Sequence, residues 1–149
     1  MSDQVAAHVI TRTITERVID PSHARRKESP AFQASKRRLK ADGHYRCWVC
    51  GATAHLQVHH FGCEWALWPD ADPEKVKAFV EAFDPYGYGK LLRNQPITSP
   101  DDVRCLLVLC RAHHIERGTG VHELTMPTWT VQAVSKPGQD PVPQEEHHG

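Results

Sequence analysis

Residues 47–60 read CWVCGATAHLQVHH, and residues 109–114 read LCRAHH. Cys-x-x-Cys in the first stretch is answered by Cys-x-x-His in the second, and each stretch ends on a double histidine. Cys47, Cys50, Cys110 and His113 make a four-ligand set suited to tetrahedral zinc, because zinc prefers thiolate and imidazole. The two-residue gap lets one tight turn place both ligands of a pair on the same ion. Gly51, directly after Cys50, suits a turn whose backbone needs positive φ. Cys105 is an alternative to His113 as fourth ligand. Cys63 has no partner in sequence and reads as a small packed apolar residue.

His59, His60 and His114 are left over. Neighbouring residues of a strand point to opposite faces, so one of His59 and His60 can bind a metal while the other reaches a substrate. His114 follows a zinc ligand directly, which fixes its position. A second cation between His59 and His114, with His60 free as general base, suits hydrolysis. Hydrogen bonding inside the core is the plainer reading for one or two of the three.

Working outward, the sequence predicts an α+β fold. Residues 8–19, HVITRTITERVI, alternate and are rich in β-branched residues, as in a strand. Ser29-Pro30 is a helix start, with Phe32 and Leu39 on one face and Gly43 as the stop. Residues 55–60 and the apolar run CLLVL (105–109) predict strands, and 111–117 a final helix before Gly118 and Gly120. Residues 63–98 read as an insertion, in which Asp72-Pro73 opens a helix with Val76, Phe79, Val80 and Phe83 on one face. Its later part, 84–98, reads as loop, while Ser99-Pro100-Asp101-Asp102 has helix-start chemistry. The expected organisation is a single domain over 1–134 followed by a disordered tail, 135–149.

The chain of 149 residues has no net charge, yet its charges are segregated. Residues 21–46 carry eight Lys/Arg against two acids, while 64–84 carry six acids against two lysines. Arg25, Arg26, Lys36, Arg37, Arg38 and Lys40 are candidates for contacts to a phosphate backbone; a solvated helix face is the alternative. No apolar run is long enough to span a membrane. MSDQVAAHVI lacks the charged start and apolar core of a secretory signal, so reduced thiols and a cytoplasmic location are expected.

YRCWVCG, LQVHHF and LLVLCRAHH together resemble the zinc-knuckle version of the HNH nuclease motif, also called the ββα-metal or His-Me finger. The similarity covers about residues 40–118, interrupted by the insertion. It implies a zinc-stapled ββα-metal core and an endonuclease that cuts DNA, double-stranded for preference, with a divalent cation such as Mg2+ or Mn2+. By motif position His60 matches the general base, His59 and His114 the catalytic-metal ligands, and Cys47, Cys50, Cys110 and His113 the structural zinc set. Small free-standing members are common in bacteriophages and mobile elements, which implies a bacterial cell or a phage-infected host.

Two positions depart from the family pattern. Cys105 stands where the middle Asn is expected, and a thiol replaces an amide poorly as both donor and acceptor; Asp101 or Asp102 is close enough in sequence to take the role. Gly118 stands four residues after His114, where some members carry a further histidine ligand, and His122 can supply it if the chain turns back at the two glycines. The competing expectation is a catalytically inactive zinc module that binds nucleic acid or a protein, for example a phage inhibitor of a host defence enzyme. Its docking surface would be the acidic, aromatic insertion with Trp65, Trp68, Phe79, Phe83, Tyr86 and Tyr88. The alternative for that segment is a helix packed on the core by its own aromatics.

Overall fold

The computed structural model describes residues 3–11, 13, 24–123, 131 and 133–139. It is a small mixed α+β protein built round one antiparallel pair, β1 (Leu56–His60) and β2 (Leu106–Cys110). The register sets Leu56 opposite Cys110 and His60 opposite Leu106, so the two histidine- and cysteine-bearing motifs meet across the pair.

All of β2 is buried because both of its faces are covered. Leu106 and Val108 turn toward α1 (Pro30–Ala41) and pack with Phe32, Leu39, Val58 and Val103. Leu107 and Leu109 face the other way, among Phe61, Cys63, Val76 and Val80. The helix start at Ser29-Pro30 is where expected: the Ser29 hydroxyl accepts from the Phe32 N–H at 2.9 Å. Phe32, Ser35 and Leu39 form the buried stripe of α1, and Arg37, Arg38 and Lys40 are exposed on its other side.

The insertion is a wall of the core rather than an appendage. In α2 (Pro73–Ala82), Val76 and Val80 are fully buried, while Phe79 and Phe83 pack against Phe61. Tyr88 is buried, and Trp65, Trp68 and Tyr86 are partly so; the insertion's aromatics thus pack inward. The stretch read as loop contains a short helix, α3 (Tyr88–Leu91), seated by the Asp84 carboxylate on the N–H groups of Gly89 and Lys90. Gly89 is required there, since a Cβ would lie 2.4 Å from the Val80 carbonyl. A 3-10 turn at Trp65–Asp70 has no sequence signal of its own and carries Pro69 inside it. The helix start at Asp101-Asp102 yields only one 3-10 turn, Val103–Cys105. Buried Arg104 ties the end of the insertion down, paired with Asp102 at 2.8 Å and donating to the carbonyls of Leu92, Gln95 and Pro96.

Two further expectations change. Residues 8–11, the described start of the predicted N-terminal strand, form no ladder; Val9 and Ile10 are 92% and 63% exposed. Alternation makes a strand only where a neighbour accepts its hydrogen bonds, and the rest of that segment, bar residue 13, lies outside the described residues. The last helix is shorter than predicted, α4 (Arg111–His114), and the chain then turns through Gly118 at φ +81°. At the start of the expected tail, Ser135 bridges Ala71 and the Lys136 N–H donates to the Asp70 carbonyl; residues 140–149 lie outside the described residues.

Candidate metal centre and the histidine cluster beside it

Cys47, Cys50, Cys110 and His113 converge, with their ligand atoms all within 4.8 Å of one another. The Cys50 and Cys110 sulfurs are 3.8 Å apart, and His113 Nδ1 lies 3.2 Å from Cys110 Sγ and 3.7 Å from Cys47 Sγ. A zinc–sulfur bond of about 2.3 Å gives a tetrahedral sulfur–sulfur edge of about 3.8 Å, so the spacing fits that ion. The knuckle is shaped by the Gly51 N–H returning to the Cys47 carbonyl, with Gly51 at φ +77°. Burial opposes ionisation of Cys47, but the backbone groups of Cys110, Cys50 and Val49 outweigh it and bring the thiol to about 6. The group has the composition and geometry to hold a metal ion such as zinc. Cys105 is not part of it; that thiol is fully buried and its pKa is raised, chiefly by burial.

Beside this centre lies a second cluster of His59, His114 and His122, again within 4.8 Å of one another. His122 Nε2 is 3.2 Å from His59 Nδ1 and 3.0 Å from His114 Nε2. One ring nitrogen carries either a hydrogen or a lone pair, so His122 Nε2 completes one of these contacts well with protons alone. A cation completes both. His122 arrives because the two glycines reverse the chain; a Cβ on Gly120 would sit 2.8 Å from the His114 backbone. An outer partner orients one ring, His114 Nδ1 meeting Gln57 Oε1 at 2.7 Å; His122 Nδ1 lies 3.9 Å from Glu64 Oε1, too far for a hydrogen bond. Such backing is usual for metal-ligating histidines. Burial, then repulsion from His122 and His114, pushes His59 down to about 2, and burial then His122 push His114 to about 4. Both rings are therefore neutral, ligand-ready bases at pH 7. A mostly apolar cavity of about 280 Å³, lined by residues including His59, Phe61, Phe83 and Leu107, supplies part of that dry environment.

His60 turns to the other face of β1, as alternation requires. It is 4% exposed, stacked on Phe32 with ring centroids 5.1 Å apart, and its Nε2 lies 2.7 Å from Asp101 Oδ1. Asp101 is itself held: Ser29 Oγ donates to Oδ2 and Ser35 Oγ to its backbone carbonyl, both at 2.7 Å. Burial lowers the His60 pKa against the opposing pull of Asp101. A carboxylate only accepts, so Nε2 carries the hydrogen and Nδ1 the lone pair. Cys105 braces the next residues through its backbone, its carbonyl accepting from the Phe61 and Gly62 N–H groups at 2.9 and 3.2 Å. Gly62 is needed for that approach, since a Cβ would lie 2.9 Å from Cys105.

Of the basic candidates, Lys36 pairs with Glu28 at 2.9 Å and Arg38 with Asp42 at 3.5 Å, while Lys40 lies over the Tyr45 ring. Arg25 and Arg37 are exposed. Arg26 reaches the histidines, with Nη2 3.4 Å from His60 Nδ1. The sequence offers Asp101 only as a substitute for the missing Asn; its direct contact with the His60 ring is not encoded in any spacing. Gln57, two residues before His59, and Glu64, four after His60, carry no signal of their own in the sequence. Among the described residues no helix is long and apolar enough to cross a membrane. Compared with known protein families, curated proteins and solved structures, the chain matches none.

Proposed function

We propose that this chain is a metal-dependent endonuclease of the HNH type that hydrolyses DNA. The observation that carries the reading is one strand end with two opposed histidines: His59 in a three-imidazole cluster, and His60 held by a buried carboxylate. The order of the motifs, with His59-His60 closing β1 and His114 following Cys110-x-x-His113, supports the same family.

In this reading Asp101 fixes the His60 tautomer, and Nδ1 takes the proton of the attacking water. His59, His114 and His122 hold a divalent cation, which would supply Lewis-acid stabilisation of charge on the phosphodiester and its leaving oxygen. Three neutral nitrogens without a carboxylate suit Zn2+ or Ni2+ better than the Mg2+ or Mn2+ expected from the sequence, since those ions favour oxygen. The Cys3His group holds structural zinc and fixes α4, and so places His114. Arg37, Arg38 and Lys40 on α1 give sequence-independent contacts to DNA phosphates.

The test is cleavage of supercoiled plasmid with Zn2+, Ni2+, Mn2+ or Mg2+ added, beside a His60→Ala protein shown to keep its zinc. Nicking that falls by about 10²–10⁴ in that variant is the expected result. No cutting with any cation, from folded and zinc-loaded protein, would leave the inactive zinc module as the reading, with Cys105 in the Asn position as its mark.

A further inference from the structure

We propose that Arg26 is the residue that holds the reacting phosphate beside His60, and that in the resting protein it screens the base it serves. The inference deepens the nuclease reading and rests on it. Of the six basic residues singled out above, Arg26 is the one that touches a histidine of the site among the described residues, at 3.4 Å from His60 Nδ1. Its guanidinium lies 5.3 Å over the Phe32 ring, and that ring stacks on His60 with an interplanar angle of 17°. Phe32 therefore serves as a common platform for the base and the cation.

The chemistry of the three groups in line selects one arrangement. Asp101 can only accept and a guanidinium can only donate, so both neighbours require hydrogen on Nε2 and a lone pair on Nδ1. The contact at Nδ1 is long for a hydrogen bond, so it is a weak one. A phosphodiester oxygen carries charge and matches the guanidinium fork, and it outcompetes a neutral ring nitrogen for those donors. Binding of the phosphate thus draws Arg26 off Nδ1 by the contact that places the phosphate there, and the lone pair is released for water. Arg26 is exposed, and it lines a surface hollow with Lys36, Tyr45 and Gln57. Gln57 in turn contacts His114, so the hollow joins the base side of β1 to the histidine cluster.

Lys36 shares the Phe32 ring, 5.0 Å from its centroid, but of the six only Arg26 contacts a histidine of the site among the described residues. Lys36 is engaged by Glu28, and Arg38 by Asp42. Loss of one of them removes charge from the DNA face; loss of Arg26 removes a donor at the reacting group.

The experiment has two arms. The first measures single-turnover cutting at saturating duplex DNA by the metal-loaded protein, as wild type, Arg26→Ala and Arg26→Lys. The second measures affinity for the same duplex against salt by fluorescence anisotropy, in a His60→Ala background that does not cut. Thermal melts check that each variant keeps its fold. The expected result is a rate loss on the order of 10²–10³-fold for Arg26→Ala, with the lysine restoring little of it. In the binding arm the slope of log affinity against log salt falls by about 0.9, one phosphate contact, and the lysine restores it. Wild type that cuts, with Arg26→Ala cutting equally fast at saturation, overturns the role of Arg26 alone. An unchanged salt slope overturns it as well. Wild type that binds DNA through Arg26 yet cuts nothing overturns the nuclease reading, and with it the pairing of Arg26 with a base.

Discussion

The Cys3His centre and the three-histidine cluster draw on the same pieces of chain and differ in nearly every chemical respect. Adjacent residues of α4 feed the two: His113 joins the cysteines and His114 joins His59 and His122. The first set offers three cysteines and one imidazole, which with zinc bound would fill a tetrahedron and leave no position for a substrate. The second offers three imidazoles, would leave positions open round a cation, and has Gln57 hydrogen-bonded to His114. A closed site on one residue of α4 would also fix the backbone of the next, and so the place of His114 in the open one. That is the advantage of using consecutive residues for both.

The largest effect that separates the two centres should come from the closed one. Cys50 is exposed, so Cys50→Ser removes a ligand without opening the core. Structural zinc contributes on the order of 10 kcal/mol in small domains, comparable with a whole domain's stability. The variant is expected to lose its cooperative melt by circular dichroism; a wild-type melting curve would mean the thiols are only packed.

His59→Ala should do the reverse. The zinc and the cooperative melt persist, while cutting falls on the order of 10²–10³-fold or more. A collapse of the fold would make the histidines structural and erase the contrast.

Asp101→Asn sharpens the division between the two faces of β1. It keeps both metal sites but removes the charge that favours the reactive tautomer, at a cost on the order of 10²–10⁴ in rate. Asp101 raises the His60 pKa, so its loss moves the acid limb of the pH–rate profile to lower pH. A limb that moves upward would contradict the assignment.

The smallest effect is in protons. With His59 at about 2 and His114 at about 4, these two rings are neutral at pH 7, and cation binding there takes no proton from them. Calorimetry in buffers of different ionisation enthalpy should find that at most one proton leaves the three rings per cation bound. The depressed values also fix the direction for stability. Below the ordinary histidine value of about 6.5 the unfolded chain takes up protons that the folded chain refuses, so protein lacking the second cation loses stability as the pH falls from there.

The cysteine knuckle, both strands, α1 and α2 were legible in the sequence because each rests on local chemistry. Ser29-Pro30 caps a helix by itself, and Val76 and Val80 mark a buried face by spacing alone. The partners of the histidines were not legible. Asp101 meets His60 only because Ser29 and Ser35 dock α1 on it, a tertiary arrangement no spacing encodes. His122 needed the Gly118–Gly120 reversal, which was visible as a possibility of the chain and not as a distance. The N-terminal alternation misled over its described residues, since a pattern of period two says nothing about whether a neighbouring strand is present. For the insertion's aromatics the sequence favours packing over docking without deciding it, and the contacts of Phe61 with Phe79 and Phe83 decide for packing.

The account depends most on the histidine cluster being a metal site distinct from the cysteine one. Elemental analysis of the purified protein, saturated with Zn2+ and then desalted, measures this directly. Wild type should carry two equivalents per chain, and His114→Ala one, with its fold intact. One equivalent in both proteins would contradict the second centre and remove the chemical basis of the proposed cleavage.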